Sequence, residues 1–193
     1  MTGPGPWPKA ADAVALPLTW GATQAEARRP YAADHLVDGT ILSLTRAISV
    51  AAPPELTWRW LCQIAVAPYS YDWIDNRGRP SPRTLTPGAD GLVLGQRMAI
   101  VFELVAYDAP HHWTALTTAR GRRLFGPVAM TYAAEPDPAG SRIVCRIAVP
   151  QDGARGWTRS RLLAWGDLVM MRKQLHTLQA LAERDAGSHP GAR

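Results

Sequence analysis

The chain has 193 residues, 47% of them hydrophobic, which suits one domain with an extension and is too apolar for a disordered polymer. The formal charge of +5 is carried almost wholly by scattered arginines, with lysine only at Lys9 and Lys173, so no nucleic-acid partner is expected. No apolar run approaches about 18 residues, so no membrane insertion is expected. The proline-broken N-terminus lacks the basic start and apolar block of a secretion signal, which leaves a cytoplasmic location as the expectation.

Residues 1–17 read as a loose arm, whose Trp7 together with Trp20 hints at packing on the domain, and residues 18–39 as a polar, turn-rich lead-in. Within the lead-in, Thr23 and Glu26 have capping-box spacing, which predicts one helical turn over Thr23 to Arg28. A strand follows over 41–50, with Leu44, Arg46, Ile48 and Val50 on one phase and Ser43, Thr45, Ala47 and Ser49 on the other. Pro53 and Pro54 stop this strand, and Pro is well tolerated at the first position of the helix expected over 54–66. Trp58 and Leu61 recur there at helical spacing, and Pro68 closes the segment.

Tyr69, Tyr71 and Trp73 then alternate, with a short helix expected near Tyr71 to Asn76 before a long Gly- and Pro-rich loop. Residues 96–107 read as one strand with Met98, Ile100, Phe102 and Leu104 in phase. Another covers 112–119. Arg120, Arg122 and Arg123 around Gly121 read as a hairpin tip leading into a strand over 124–134. Beyond the EPDPAGS turn, Ile143, Cys145, Ile147 and Val149 alternate with Arg142, Val144, Arg146 and Ala148, the pattern of an antiparallel strand with one wet face. A long helix closes the chain from about Thr158 to Arg184, with a stripe of Leu168, Met171, Leu175, Leu178 and Ala182. Its first half is apolar more broadly, through Leu162, Leu163, Trp165, Val169 and Met170, which suggests cover on more than one side. Cys62 and Cys145 lie within apolar patterns and read as buried thiols, since no Cys/His cluster has zinc spacing.

The order β, α, run of β, long α predicts an α+β domain whose last helix lies across an antiparallel sheet. Four stretches, WGAT (Trp20 to Thr23), TRAISVAAPPELTWRWL (Thr45 to Leu61), YSYDW (Tyr69 to Trp73) and GDLVMMRKQL (Gly166 to Leu175), resemble the START-like, or SRPBCC, superfamily and its bacterial "SRPBCC family protein" group. That resemblance implies a helix-grip fold: a curved antiparallel sheet around the C-terminal helix, with an internal cavity. The domain is expected over 40–186, after the arm and lead-in at 1–39 and before a disordered tail at 187–193.

Implied function is binding of a hydrophobic or aromatic small molecule, without metal or other cofactor, by a monomer or homodimer. The alternatives are a polyketide cyclase or aromatase-like enzyme that moves a proton with a pocket Tyr, His or Asp, and a ligand-dependent regulatory or stress protein. Catalytic candidates are Tyr71, Asp72 and His112. Ligand-contact candidates are Arg46, Tyr69, Trp73, Met98, Phe102, Trp113, Met130, Trp165, Val169 and Met170. His112 follows His111 in a Pro-rich turn, where an exposed position is the alternative. Arg46, if it points inward, needs a carboxylate, either a ligand's or an internal one such as Glu103 or Asp72. Asp167 reads as a surface or pairing residue.

Overall fold

The computed structural model describes residues 16–76, 78–151 and 153–188, without the side chains of 74, 75 and 153–162. The arm up to residue 15 with Trp7, the side chain of Leu162 and the tail beyond 188 lie outside the described residues. In chain order, the elements are β1 (Thr19–Trp20), α1 (Gln24–Arg28), a 3₁₀ turn (Ala32–His35), β2 (Ile41–Val50), α2 (Pro54–Cys62) with a further 3₁₀ turn (Gln63–Ala65) and α3 (Asp72–Asp75). After a long loop come β3 (Arg97–Met98), β4 (Phe102–Asp108), β5 (His112–Thr117), α4 (Ala119–Phe125), β6 (Ala129–Asp137), β7 (Gly140–Pro150) and α5 (Gly153–Gly187).

The strands form one seven-stranded sheet in the order β1-β2-β7-β6-β5-β4-β3. Every pairing is antiparallel except β1 with β2, which is parallel. Helix α5 lies on β2 and β7, and α2 lies beside it over β6 and β7. The architecture is α+β and of helix-grip type. The main core sits between the sheet's inner face and these two helices: Leu44, Cys145, Ile147, Tyr132 and Trp113 from the sheet, Trp58 and Leu61 from α2, and Met171, Leu175, Leu178 and Ala182 from α5. No helix among the described residues is long and apolar enough to cross a membrane.

The proline-started α2 and the phase of β2 form as their sequences require. The capping box forms as well: Glu26 N donates to Thr23 Oγ1 at 3.2 Å and Thr23 N donates to Glu26 Oε2 at 2.6 Å.

Three expectations are corrected. Residues 119–125 are a helix, not a hairpin tip. Thr118 caps it by accepting from Gly121 N, and Gly121 sits so close to the preceding turn that a Cβ there would lie 2.6 Å from Val101 O. Residues 96–107 are not one strand. Ala99 and Ile100 take φ of 40° and 64°, turning the chain back so that Met98 pairs with Phe102 and Ile100 points to solvent. The outer face of β7 is not wet. Val144, Arg146 and Ala148 are buried because the lead-in folds over them.

Arginines make that cover possible. Arg146 Nη2 donates to Ala27 O and Arg29 O, both at 2.8 Å, at the C-terminal end of α1, where carbonyls lack helical partners. Arg142 pairs with Glu26 and donates to Gly21 O at 2.6 Å. Ala33 and Val37 pack on Ala129 and Ala148 in a second small core. The sheet therefore has helix on both faces, at least over β2, β7 and β6.

Candidate ligand-binding site

Strand register assembles a row that no single segment displays. Arg46 on β2 stands opposite Cys145 on β7, Cys145 opposite Tyr132 on β6, Tyr132 opposite Trp113 on β5, and Trp113 opposite Tyr107 on β4. All belong to the inner phase of their strands. The row crosses an otherwise apolar surface: the parallel row one step along is Leu44, Ile147, Met130, Ala115 and Leu104. Trp113 and Tyr132 stack with ring centroids 4.6 Å apart, a contact that adds about 1 kcal/mol to their burial.

Helix α5 brings polar groups down on this row. Asp167, Met171 and Gln174 recur at spacings of four and three, hence on one side of the helix. Tyr132 spans from β6 to α5, where its hydroxyl donates to Gln174 Oε1 and lies 3.2 Å from Met171 Sδ. Gln174 Nε2 donates onward to Pro68 O at 2.6 Å. At the other end, Arg46 is wholly buried and its Nη1 donates to Leu18 O at 2.8 Å and Thr45 O at 3.2 Å. Arg46 Nη2 lies 3.0 Å from Asp167 Oδ2, an ion-pair distance without a well-directed hydrogen bond. The internal carboxylate is thus Asp167, not Glu103 or Asp72.

Burial governs the titrating groups. Desolvation pushes the Asp167 carboxyl up to about 6, against the opposing pull of Arg46. It also drives the Tyr132 hydroxyl and the Cys145 thiol well above their ordinary values. Both therefore stay protonated near neutral pH. Three buried polar atoms on this side of the sheet have no hydrogen-bond partner among the described residues, Arg46 Nε, Trp113 Nε1 and Tyr69 Oη, while Asp167 Oδ2 is held by the Arg46 ion pair alone. Each such atom costs about 1–3 kcal/mol, so three in one core are a concentrated cost.

Of the expected ligand contacts, Tyr69, Met98, Phe102, Trp113 and Met130 lie in or against the main core, and Arg46 is buried beneath α5. Met170 is half-buried on α5. Trp73, Trp165 and Val169 are exposed, at 76%, 53% and 53%. Among the described residues the N-terminal half of α5 is therefore not covered on a second side: Leu163 packs against the core with the buried stripe, while Trp165 and Val169 face away. Tyr71 precedes α3 and is half-buried. Asp72 accepts from Ser81 N at 2.9 Å and Ser81 Oγ at 2.5 Å, tying α3 to the following loop. His112 points from β5 to the outer face beside Ala133, across the sheet from Trp113.

Tyr132, Asp167 and Gln174 went unrecognised in the sequence as a group. Their available signal was a polar residue at an inward position: Tyr132 in phase with Met130, and Gln174 next to Leu175 in the buried stripe.

No family model matches this chain, and no curated protein matches it. Solved structures do run a similar course. Protein MLL2253 from Mesorhizobium loti is 14% identical with a TM-score of 0.48, covering 74% of this chain and 97% of its own. The Polyketide_cyc-like protein Cgl2372 from Corynebacterium glutamicum is 15% identical with a TM-score of 0.45, over 80% and 99%. The di-domain ARO/CYC StfQ from the steffimycin biosynthetic pathway is 12% identical with a TM-score of 0.46, over 76% and 52%. These are likenesses of chain course; the helix-grip description rests on the topology of this chain.

Proposed function

We propose that the protein holds a small, largely apolar or aromatic molecule between the inner face of the sheet and α5. The observation that carries this reading is the set of three buried polar atoms without a partner among the described residues, Arg46 Nε, Trp113 Nε1 and Tyr69 Oη, around an apolar surface, since a ligand oxygen or nitrogen would relieve costs that those residues leave standing. Apolar burial against Met98, Met130, Trp113 and Met171 would supply affinity, and Arg46, Asp167, Tyr69 and Trp113 would orient the polar end. Native mass spectrometry of the purified protein tests it. A retained hydrophobic molecule, lost from a Met130→Trp variant that fills the face, is the expected result. An adduct that persists unchanged in that variant would contradict it.

A second reading, an enzyme of the cyclase or aromatase type, is favoured by one observation: a carboxyl at about 6, on α5 beside the Arg46 end of the row. In that version Asp167 takes and returns a proton, and the Tyr132 hydroxyl supports it. Tyr71 and Asp72 would act only at the edge of the site, and His112 from the far side of the sheet not at all. Turnover of a reactive polyketide lost in Asp167→Asn with ligand retention unchanged would select this reading.

A further inference from the structure

His111 and His112 have no part in the inner site, and the outer face gives them another setting. A pocket of about 290 Å³ opens there, between β5 and β6 on one side and the segment Arg29 to Ala32 on the other. Its walls are mainly apolar: Pro30, Ala32, Ala133 and Pro136 take part.

The polar groups divide into two kinds. Most are already satisfied. Arg29 and Glu135 pair with each other, and Arg29 Nη2 also donates to Tyr31 Oη at 2.8 Å. Tyr31 Oη donates to Glu26 O at 3.2 Å, and Thr131 Oγ1 accepts from Ala33 N at 3.0 Å. The two charged side chains of the lining thus compensate one another, and a charged ligand would have to break that pair. His111 and His112 are left as the groups able to direct a ligand, each ring nitrogen acting as donor or acceptor according to tautomer.

Size narrows the class further. A dry apolar cavity of about 150 Å³ accepts a single benzene ring, so a pocket near twice that volume suits two fused rings. We propose that this outer pocket is a second binding site, separate from the one beneath α5, for an uncharged bicyclic aromatic molecule bearing one ring N–H or hydroxyl. The sheet between them makes the two sites independent: His112 and Trp113 are neighbours in sequence but face opposite sides.

Indole is a suitable probe, followed by the imidazole ¹H–¹⁵N signals of His111 and His112 in the full-length protein. Saturable shifts are expected, with a dissociation constant of about 1 mM or tighter for a fragment of this size. Ala32→Trp fills the pocket from its solvent side without touching the core, and should weaken binding by about tenfold or more at unchanged circular dichroism. Tyr132→Phe, at the inner site, should leave the indole affinity as it is. Three results would overturn the proposal: no saturable imidazole shift at millimolar indole, undiminished affinity in Ala32→Trp, or an affinity that follows Tyr132→Phe. None of these bears on the inner site, whose own test is ligand retention in native mass spectrometry.

Discussion

Asp167→Asn probes the buried ion pair most sharply. Asp167 has a folded value near 6 against an ordinary 3.8, so the folded protein holds this proton more tightly than the unfolded chain does. The sign follows: the group favours folding below about pH 4, and that contribution is lost as pH rises to about 6. A gap of about two pH units at 1.36 kcal/mol each sets a ceiling near 3 kcal/mol. The side chain is 22% exposed and can relax toward water, which brings the expectation to about 1–2 kcal/mol. Asparagine keeps the shape and mimics the neutral acid. Urea denaturation of both proteins from pH 4 to pH 7 should show the difference between them moving by that amount in favour of Asp167→Asn, which is then at least as stable as the parent at pH 7. Comparing the two cancels groups such as Glu26, where burial raises the carboxyl but hydrogen bonds from Arg142 and Thr23 outweigh it and lower it. A loss of about 3–5 kcal/mol at pH 7 would refute the reasoning and make the Arg46 pairing the dominant effect.

Other consequences are open to simple measurement. Tyr132→Phe leaves Gln174 Oε1 buried without its donor and should cost about 1–3 kcal/mol in urea unfolding. Cys62, pushed up to about 12 by burial and then by Asp90, and Cys145, raised further still, should resist Ellman's reagent in the native protein and react once it is unfolded; fast native labelling of either would contradict their placement. Gly21→Ala should destabilise by several kcal/mol, at the upper end for single changes, because φ is +69° and the added Cβ would fall 2.1 Å from Ala47 O on β2.

Local signals carried much of the fold. The Pro53-Pro54 break, the Thr23–Glu26 box, the strand over Ile41–Val50 and the buried stripe of α5 each depend on residues near one another in the chain. The inner phase of Arg46 follows from alternation alone. What pairs with what does not. Arg46, Cys145, Tyr132 and Trp113 become neighbours only through the register of four strands, and Asp167 joins them only where α5 crosses the sheet. Arg142 and Arg146 read as a solvent face because alternation reports which residues share a side, not what covers that side. Their partners in the lead-in are the carboxylates of Glu26 and Asp34 and backbone carbonyls, and the carbonyls carry no sequence signature. The turn at Ala99 and Ile100 was hidden for a similar reason, since a positive φ at a β-branched residue runs against local preference and is imposed by surrounding structure.

The central claim, a small-molecule site beneath α5, is tested most directly with ¹³C-labelled methionine methyl groups. Met98, Met130 and Met171 are all buried in the core between sheet and helix. Titration with 2-naphthol should shift these three signals saturably, with nuclear Overhauser contacts from the ring to their methyls. Binding of the naphthol with all three signals unmoved, or no binding at millimolar concentration, would contradict the account.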